Sequence, residues 1–311
     1  HYMTGLSNAN ALYDILSAKY IITSERAIDN DHGLRMLHEI DGKKIYENTN
    51  ALPMGFCYQS IIEESELDKL NIQERRLALL DSCVVSSDAV TRLNGIERVE
   101  SVAYTWDIEG KERAYEYDAD LHKIMFTETS SDEVIQLTFD MKARADNFGV
   151  LNYGNEEENL GSVLVGSKDT HSSQSFVFTG NNISYFQCQN DMENIKVTAY
   201  DREKYYSETD KYLQERKSSE FECTSFSSNN IAGTVKNEND AVLYFSIPYN
   251  NGWNIYIDGK KADLLKVNYG FIGAYMEAGE HDIVLQYQIP YIRVSIAVSI
   301  IGIVLIIVWC V

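Results

Sequence analysis

This chain has little positive charge, few prolines and no catalytic signature. Of its 311 residues, 27 are Lys or Arg and 47 are Asp or Glu, giving a formal net charge of −20. Nucleic-acid binding needs a basic footprint, so nucleic acid is excluded as a partner. The acidic body also gains no attraction from an anionic lipid surface. The five cysteines are Cys57, Cys83, Cys188, Cys223 and Cys310, and no two have metal-ligand spacing. No zinc site follows, and no cofactor is expected. The chain has no Ser-His-Asp arrangement, phosphate-cradling glycine loop or metalloprotease helix. No internal repeat or low-complexity segment is present.

What the chain does have is an apolar end. Val294 to Val311 carries no charge, and its only hydroxyl side chains are Ser295 and Ser299. Eighteen residues at about 1.5 Å each span roughly 27 Å, close to the hydrocarbon thickness of a bilayer. The two serines can bond back to their own helix. A buried core helix is the alternative, but a terminal core helix normally keeps a polar edge. The expectation is a transmembrane helix over 291–311. Arg293 is the single basic residue directly before the run, and the body is acidic, so we expect the body outside the cell. Cys310 would lie in the membrane. The other four cysteines either form two disulfides in an oxidising compartment or stay as buried thiols. The chain begins at His1, which reads as the start of an excised or processed piece.

Twenty-one Tyr, 11 Phe and three Trp with β-branched neighbours favour a sheet-rich fold. A short helix is expected over 8–18, capped by Asn8 or Asn10, and a strand follows it. Asp41-Gly42 marks a turn. Residues 62–81 read as one or two helices, the first capped by Ser65 with Asp68. Strand patterns follow at 99–106, 123–126, 134–141, 163–165, 175–178, 183–188 and 195–200. Gly149, Gly154, Gly161 and Gly180-Asn181 punctuate them. Residues 201–217 read as a helix with Tyr205, Tyr206, Tyr212 and Leu213 inward. The last soluble stretch is a small sheet with a hairpin turn at Asp258-Gly259. The fold expected is mainly β with minor α. An α/β segment covers 1–90, a jelly-roll-like β-sandwich 91–227 and a small C-terminal β domain 228–290.

The last stretch carries a resemblance. It runs from Ser246-Ile-Pro-Tyr-Asn-Asn-Gly-Trp-Asn-Ile-Tyr-Ile-Asp-Gly-Lys-Lys261 through Asn268-Tyr-Gly-Phe-Ile-Gly273 to Ala278-Gly-Glu-His-Asp-Ile-Val-Leu-Gln-Tyr287 and an apolar span. This order resembles the C-terminal end of YfhO-type bacterial membrane proteins. Asn10 to Ile22 and Tyr46 to Phe56 are similar to earlier segments of that family, while roughly 90–225 carries no matching motif. The resemblance implies a polytopic membrane protein of lipid-phosphosugar-dependent glycosyltransferase architecture. Such proteins glycosylate envelope polymers such as lipoteichoic acid on the outer face. Their expected catalytic carboxylate sits in an early loop between N-terminal membrane helices, outside this chain. No catalytic residue carries over, and this chain is expected to lack the catalytic residues of its parent enzyme. Its expected partners are the membrane and an envelope glycopolymer or lipid-linked sugar.

The residues inviting a site reading are aromatic. Tyr104, Trp106, Tyr115, Tyr117, Tyr153 and Tyr185 lie in the middle region, and a shared exposed face would suit carbohydrate. Trp253 after Gly252 is a second stacking candidate, though its alternation with Ile255 and Ile257 also fits a core role. Tyr104, Trp106, Tyr153 and Trp253 are therefore the carbohydrate-binding candidates. His281 reads as a hydrogen-bonded structural histidine, Asp258-Gly259-Lys260 as turn chemistry, and Glu156 to Glu158 as a solvated acidic loop. Asp107 with Glu109, and Asp118 with Asp120, read as exposed pairs. The function expected is an extracellular, acceptor-facing part of a membrane glycosyltransferase. A membrane-anchored, non-catalytic carbohydrate- or cell-wall-binding protein is the alternative. A free-standing glycan enzyme is a third reading, which needs a cleft of convergent carboxylates.

Overall fold

The strand Glu133–Met141 shows how the fold is built. Ile135, Leu137, Phe139 and Met141 point one way into a buried core, and Val134 points the other way. This is the period-2 alternation of a strand covered on both faces. The computed structural model describes residues 11–23, 32–141, 149–165, 172–179 and 182–310. The Asn8 or Asn10 cap and the Gly180-Asn181 turn lie outside them.

The chain forms two compact units, and neither is one continuous stretch. The first comprises 1–52, 69–80 and 101–215; the second comprises 53–68, 81–100 and 216–311. This grouping differs from the linear division expected. The strands within 55–98 pair with those within 241–276, so residues distant in sequence share one sheet.

In the first unit two antiparallel sheets enclose one core, which is the sandwich expected of the middle region. One has the order Asn159–Val165, Gly149–Gly154, Tyr185–Cys188, Lys123–Phe126, Tyr115–Asp118; the other has Ser172–Thr179, Glu133–Met141, Met192–Asp201, Lys111–Glu112. Both contribute buried side chains to the same cluster, including Phe139, Phe178 and Phe186. Each fully buried ring contributes about 1.5–3 kcal/mol. A separate three-stranded sheet places Lys43–Asn48 between Tyr20–Thr23 and Leu34–Ile40.

In the second unit an antiparallel five-stranded sheet packs with a seven-stranded sheet around Leu243, Phe245, Ile255, Ile272, Ile283 and Leu285. The seven-stranded sheet is mixed: Ser60–Glu63 runs parallel to Cys83–Val85 and to Glu97–Arg98. The Asp258-Gly259 turn has both residues at positive φ, +51° and +74°. That is the geometry a tight hairpin between Trp253–Ile257 and Lys260–Ala262 demands.

Two local readings need correction, and the open choice for the cysteines resolves. Residues 99–106 form no strand: a 3-10 turn covers Ser101–Ala103 and the chain stays irregular to Gly110. Its first residue does reach a strand: the Val99 N–H donates to the Ile61 carbonyl at 2.8 Å. The helix Glu64–Leu67 is not capped by Ser65 and Asp68; Glu63 occupies the N-cap without a side-chain bond, and Asp68 is the C-cap. The four body cysteines Cys57, Cys83, Cys188 and Cys223 are free thiols, the first three buried.

The terminal helix runs Ile292–Cys310, 19 residues. Its large apolar side chains from Val294 to Trp309 are exposed, and Ser299 donates back to the Ser295 carbonyl at 2.8 Å. Among the described residues no helix is long and apolar enough to cross a membrane. The span expected at 291–311 is thus a helix whose insertion the structure does not show.

Candidate functional site

The helix Ile72–Asp81 starts on a reciprocal cap. Asn71 Oδ1 accepts the N–H groups of Gln73 and Glu74, at 3.0 and 3.1 Å, and Glu74 accepts the Asn71 N–H at 3.0 Å. This fixes the helix start, so Gln73, Arg76, Leu77 and Leu80 share one face. Gln73 is only 5% exposed, and Leu77 and Leu80 are buried with it.

The helix Arg202–Ser218 is capped by Asp201, whose carboxylate accepts the Lys204 N–H at 3.0 Å. It buries Tyr205, Tyr206 and Leu213 as its apolar spacing predicts; Tyr212 is only partly buried. Tyr205 and Tyr206 pack on Val134, on the face of the four-stranded sheet away from the sandwich core.

Between these elements lies an aromatic cluster. The Trp106 ring meets Tyr205 at 4.9 Å and Tyr200 at 6.2 Å, both edge-on, and Tyr200 lies 5.6 Å from Tyr205. The Arg76 guanidinium sits over the Tyr205 ring at 5.5 Å and donates to its hydroxyl at 3.3 Å. Tyr200 donates to Gln136 at 3.0 Å. Gly110 lets the Trp106 loop lie against this wall: a Cβ there would fall 2.4 Å from Thr198 and 2.6 Å from the Tyr200 ring. Burial pushes both phenols upward, with the neighbouring Tyr205 adding to Tyr200 and Arg76 opposing the rise at Tyr205. Both stay neutral hydroxyls at physiological pH.

The cluster and the adjoining helix face carry buried donors without acceptors. Among the described residues, Trp106 Nε1, Arg76 Nε and Gln73 Nε2 are buried with no hydrogen-bond partner. A buried donor left unmade costs about 1–3 kcal/mol. All three are N–H groups, so what completes them is an acceptor. Aromatic faces beside N–H donors suit a pyranose carrying hydroxyl, carboxylate or phosphate oxygens. What the cluster presents, rings beside N–H donors, is a chemistry that can bind an acceptor-rich ligand.

The structure separates the aromatic candidates read from sequence. Trp106 is half-buried in this cluster. Tyr153 is fully buried in the sandwich core and Tyr104 is buried as well, so neither offers a face to a sugar. Tyr115 and Tyr117 pack against that core; Tyr115 donates to the Ile195 carbonyl, and Tyr117 accepts the Met192 N–H. Tyr185 lies under the Lys123 ammonium at 4.3 Å. Trp253 packs on the core of the second unit, edge-on to Tyr287 at 5.2 Å. Arg76 and Gln73 were not anticipated, although the Asn71-x-x-Glu74 pattern that aligns them stands in the sequence.

The remaining polar candidates resolve into turns. His281 is bonded at both ring nitrogens, to Asp258 at 2.8 Å and to the Glu277 carbonyl at 3.1 Å. That bond, with the Asp282 N–H, holds Asp258 below the usual carboxylate range. Asn155 accepts the N–H groups of Glu157 and Glu158, and Asp118 those of Asp120 and Leu121. Asp107 and Glu109 are exposed.

Comparison with known proteins gives one family. The model of the bacterial membrane protein YfhO matches residues 1–299. A protein of Bacillus subtilis (strain 168), named "Uncharacterized protein YfhO", is 22% identical over 308 residues, covering 94% of this chain. The chain spans 35% of that relative's length. Among solved structures, a vicilin from Solanum melongena is 7% identical with a TM-score of 0.10, covering 57% of this chain and 79% of that one. A likeness that slight carries no argument about fold or ligand. With the family model matching nearly its whole length, this chain belongs to the YfhO family of bacterial membrane proteins.

Proposed function

We propose that this chain is the extracellular, acceptor-facing part of a membrane glycosyltransferase. The enzyme moves a sugar from a polyprenyl phosphate to a cell-envelope polymer of the lipoteichoic-acid kind. The terminal helix is its membrane anchor: 19 residues reach about 28 Å, and the exposed apolar side chains ring the helix. The observation that carries the acceptor role is the set of orphaned donors at Trp106, Arg76 and Gln73. The strongly acidic chain repels a polyanionic acceptor, and Arg76 supplies a local cation where the aromatic faces lie. The chain positions the acceptor and does no chemistry.

The test is transfer activity in membranes carrying the full-length protein. Arg76→Met and Trp106→Phe are expected to leave protein level unchanged and to lower glycosylation of the polymer. Unchanged glycosylation rejects the acceptor role. The absence of facing carboxylates at the site also favours a second reading, a membrane-anchored carbohydrate- or cell-wall-binding protein. Polymer binding without any effect on transfer would select it.

A further inference from the structure

The root of the terminal helix carries a collar of exposed rings. Tyr291, the residue before the helix, is 81% exposed at φ +62°. Tyr269 is 49% exposed at φ +65°. Left-handed backbone is unfavourable for a bulky L-residue, and here it holds a large ring out from the surface. Three loops meet at this edge. The Tyr249 N–H donates to the Gly270 carbonyl, and the Gln288 N–H to the Gly252 carbonyl, each at 2.8 Å. Ile289, 61% exposed, lies on the same edge.

The spacing along the helix adds an independent observation. Trp309, 88% exposed, lies 18 residues beyond Tyr291. At about 1.5 Å per residue the two rings stand roughly 27 Å apart along the axis, close to the hydrocarbon thickness. Tyr and Trp concentrate at the two membrane–water boundaries, where one end of the ring is apolar and the other wet.

We propose that this collar seats the second unit on the headgroup layer of a lipid bilayer. Tyr269 and Tyr291 lie at the near boundary and Trp309 at the far one. This rests on the anchor reading of the terminal helix. The acidic body gives no electrostatic attraction, so the seat is made by rings and depends little on lipid charge. Its consequence is that the unit is held against the membrane surface instead of swinging on its helix.

The experiment is depth-dependent fluorescence quenching of the chain in phosphatidylcholine vesicles containing lipids brominated at shallow or deep acyl positions. Three single-tryptophan forms are compared, with the other tryptophans replaced by phenylalanine. One keeps native Trp309, and the others carry Tyr269→Trp or Tyr291→Trp. All three are expected to be quenched, most strongly by the shallow bromines. If Trp309 is quenched while the Tyr269→Trp and Tyr291→Trp probes stay unquenched, the seat is wrong and the anchor stands. If Trp309 is unquenched as well, the anchor itself is wrong. Amide exchange of the unsubstituted chain guards against misfolded variants: loops 249–252 and 268–271 should exchange several-fold more slowly with vesicles than without. Equal exchange would overturn the seat.

Discussion

Each unit places an arginine over a tyrosine ring, and the two pairs are finished differently. In the second unit Arg216 is 1% exposed and lies over Tyr58 at 5.2 Å. Its guanidinium donates to the Cys57 carbonyl at 2.8 Å and to Gln59 at 3.3 Å. Asn268 completes the neighbourhood, donating to Tyr58 and accepting the Val84 N–H at 2.7 Å. Both terminal nitrogens of Arg216 thus have acceptors, while its Nε, like that of Arg76, is buried with no hydrogen-bond partner among the described residues. Burial also raises the neighbouring acids: the Cys57 thiol is pushed up to about 12, and Tyr58 and Tyr244 rise too. In the first unit Arg76 is half-buried, donates to Tyr205 alone among the bonds seen, and keeps Nε without an acceptor beside the orphaned indole of Trp106. The pairs differ in exposure and in their terminal nitrogens: Arg216 is enclosed and bonded through both, whereas half-buried Arg76 lies where the acceptor site is proposed.

Swapping each arginine for methionine breaks the comparison most sharply. Arg216→Met leaves the Cys57 carbonyl and Gln59 buried without their donor, and should cost about 3–5 kcal/mol, read as a fall in the urea midpoint. Arg76→Met removes one long hydrogen bond, to the Tyr205 hydroxyl, together with an unmatched Nε, and should shift stability by only about 1 kcal/mol. Equal losses would mean that both joints are structural. Gly110→Ala is next: its Cβ would strike the Tyr200 ring, costing about 1–3 kcal/mol and shifting Trp106 emission. An unshifted spectrum would deny that this glycine positions the tryptophan.

Thiol modification sharpens the closed side. Of the four body cysteines only exposed Cys223 should react with an aromatic disulfide reagent at pH 8. Cys57 and Cys83 should react only on unfolding, since burial raises both thiols. The smallest effect is at the hairpin. Asp258 and Asp240 have depressed carboxyls in the folded state, through His281 and through Tyr275 respectively. A depressed carboxylate stabilises above its unfolded value, near about 4, and the contribution is lost as pH falls through the folded value. Asp258→Asn should therefore lower stability slightly at neutral pH, leave strongly acid pH unchanged, and so flatten the acid limb of the stability curve. An unaltered acid limb would show that the His281 contact contributes nothing.

Much of the frame was legible because its signals are local. Asp258-Gly259 specifies a turn through φ alone, and the inward tyrosines of Arg202–Ser218 follow helical spacing. The strand Gly149–Gly154 was missed because its glycines read as punctuation. The structure gives a packing reason for the glycine of its partner strand: Gly161 lies opposite Tyr153, where a Cβ would fall 2.4 Å from the phenol oxygen. The shared sheet of 55–98 and 241–276 was invisible for another reason, since long-range pairing leaves no periodic trace. At the proposed site, composition pointed to aromatics, and Trp106 is the candidate that lies in the half-buried cluster. It also named Tyr104 and Tyr153, because a sequence does not tell an inward ring from an outward one. Arg76 escaped because its role comes from a helix start and a tyrosine 129 residues away.

The most direct test titrates purified lipoteichoic acid into the chain by calorimetry, with a chelator present to remove bridging cations. The wild-type chain should bind, and Arg76→Met should weaken binding about tenfold or more, the worth of one charge-assisted hydrogen bond, while its stability in urea stays within about 1 kcal/mol of wild type. Equal binding by both proteins, or binding that disappears from both once divalent ions are removed, would contradict an acceptor site at Trp106 and Arg76.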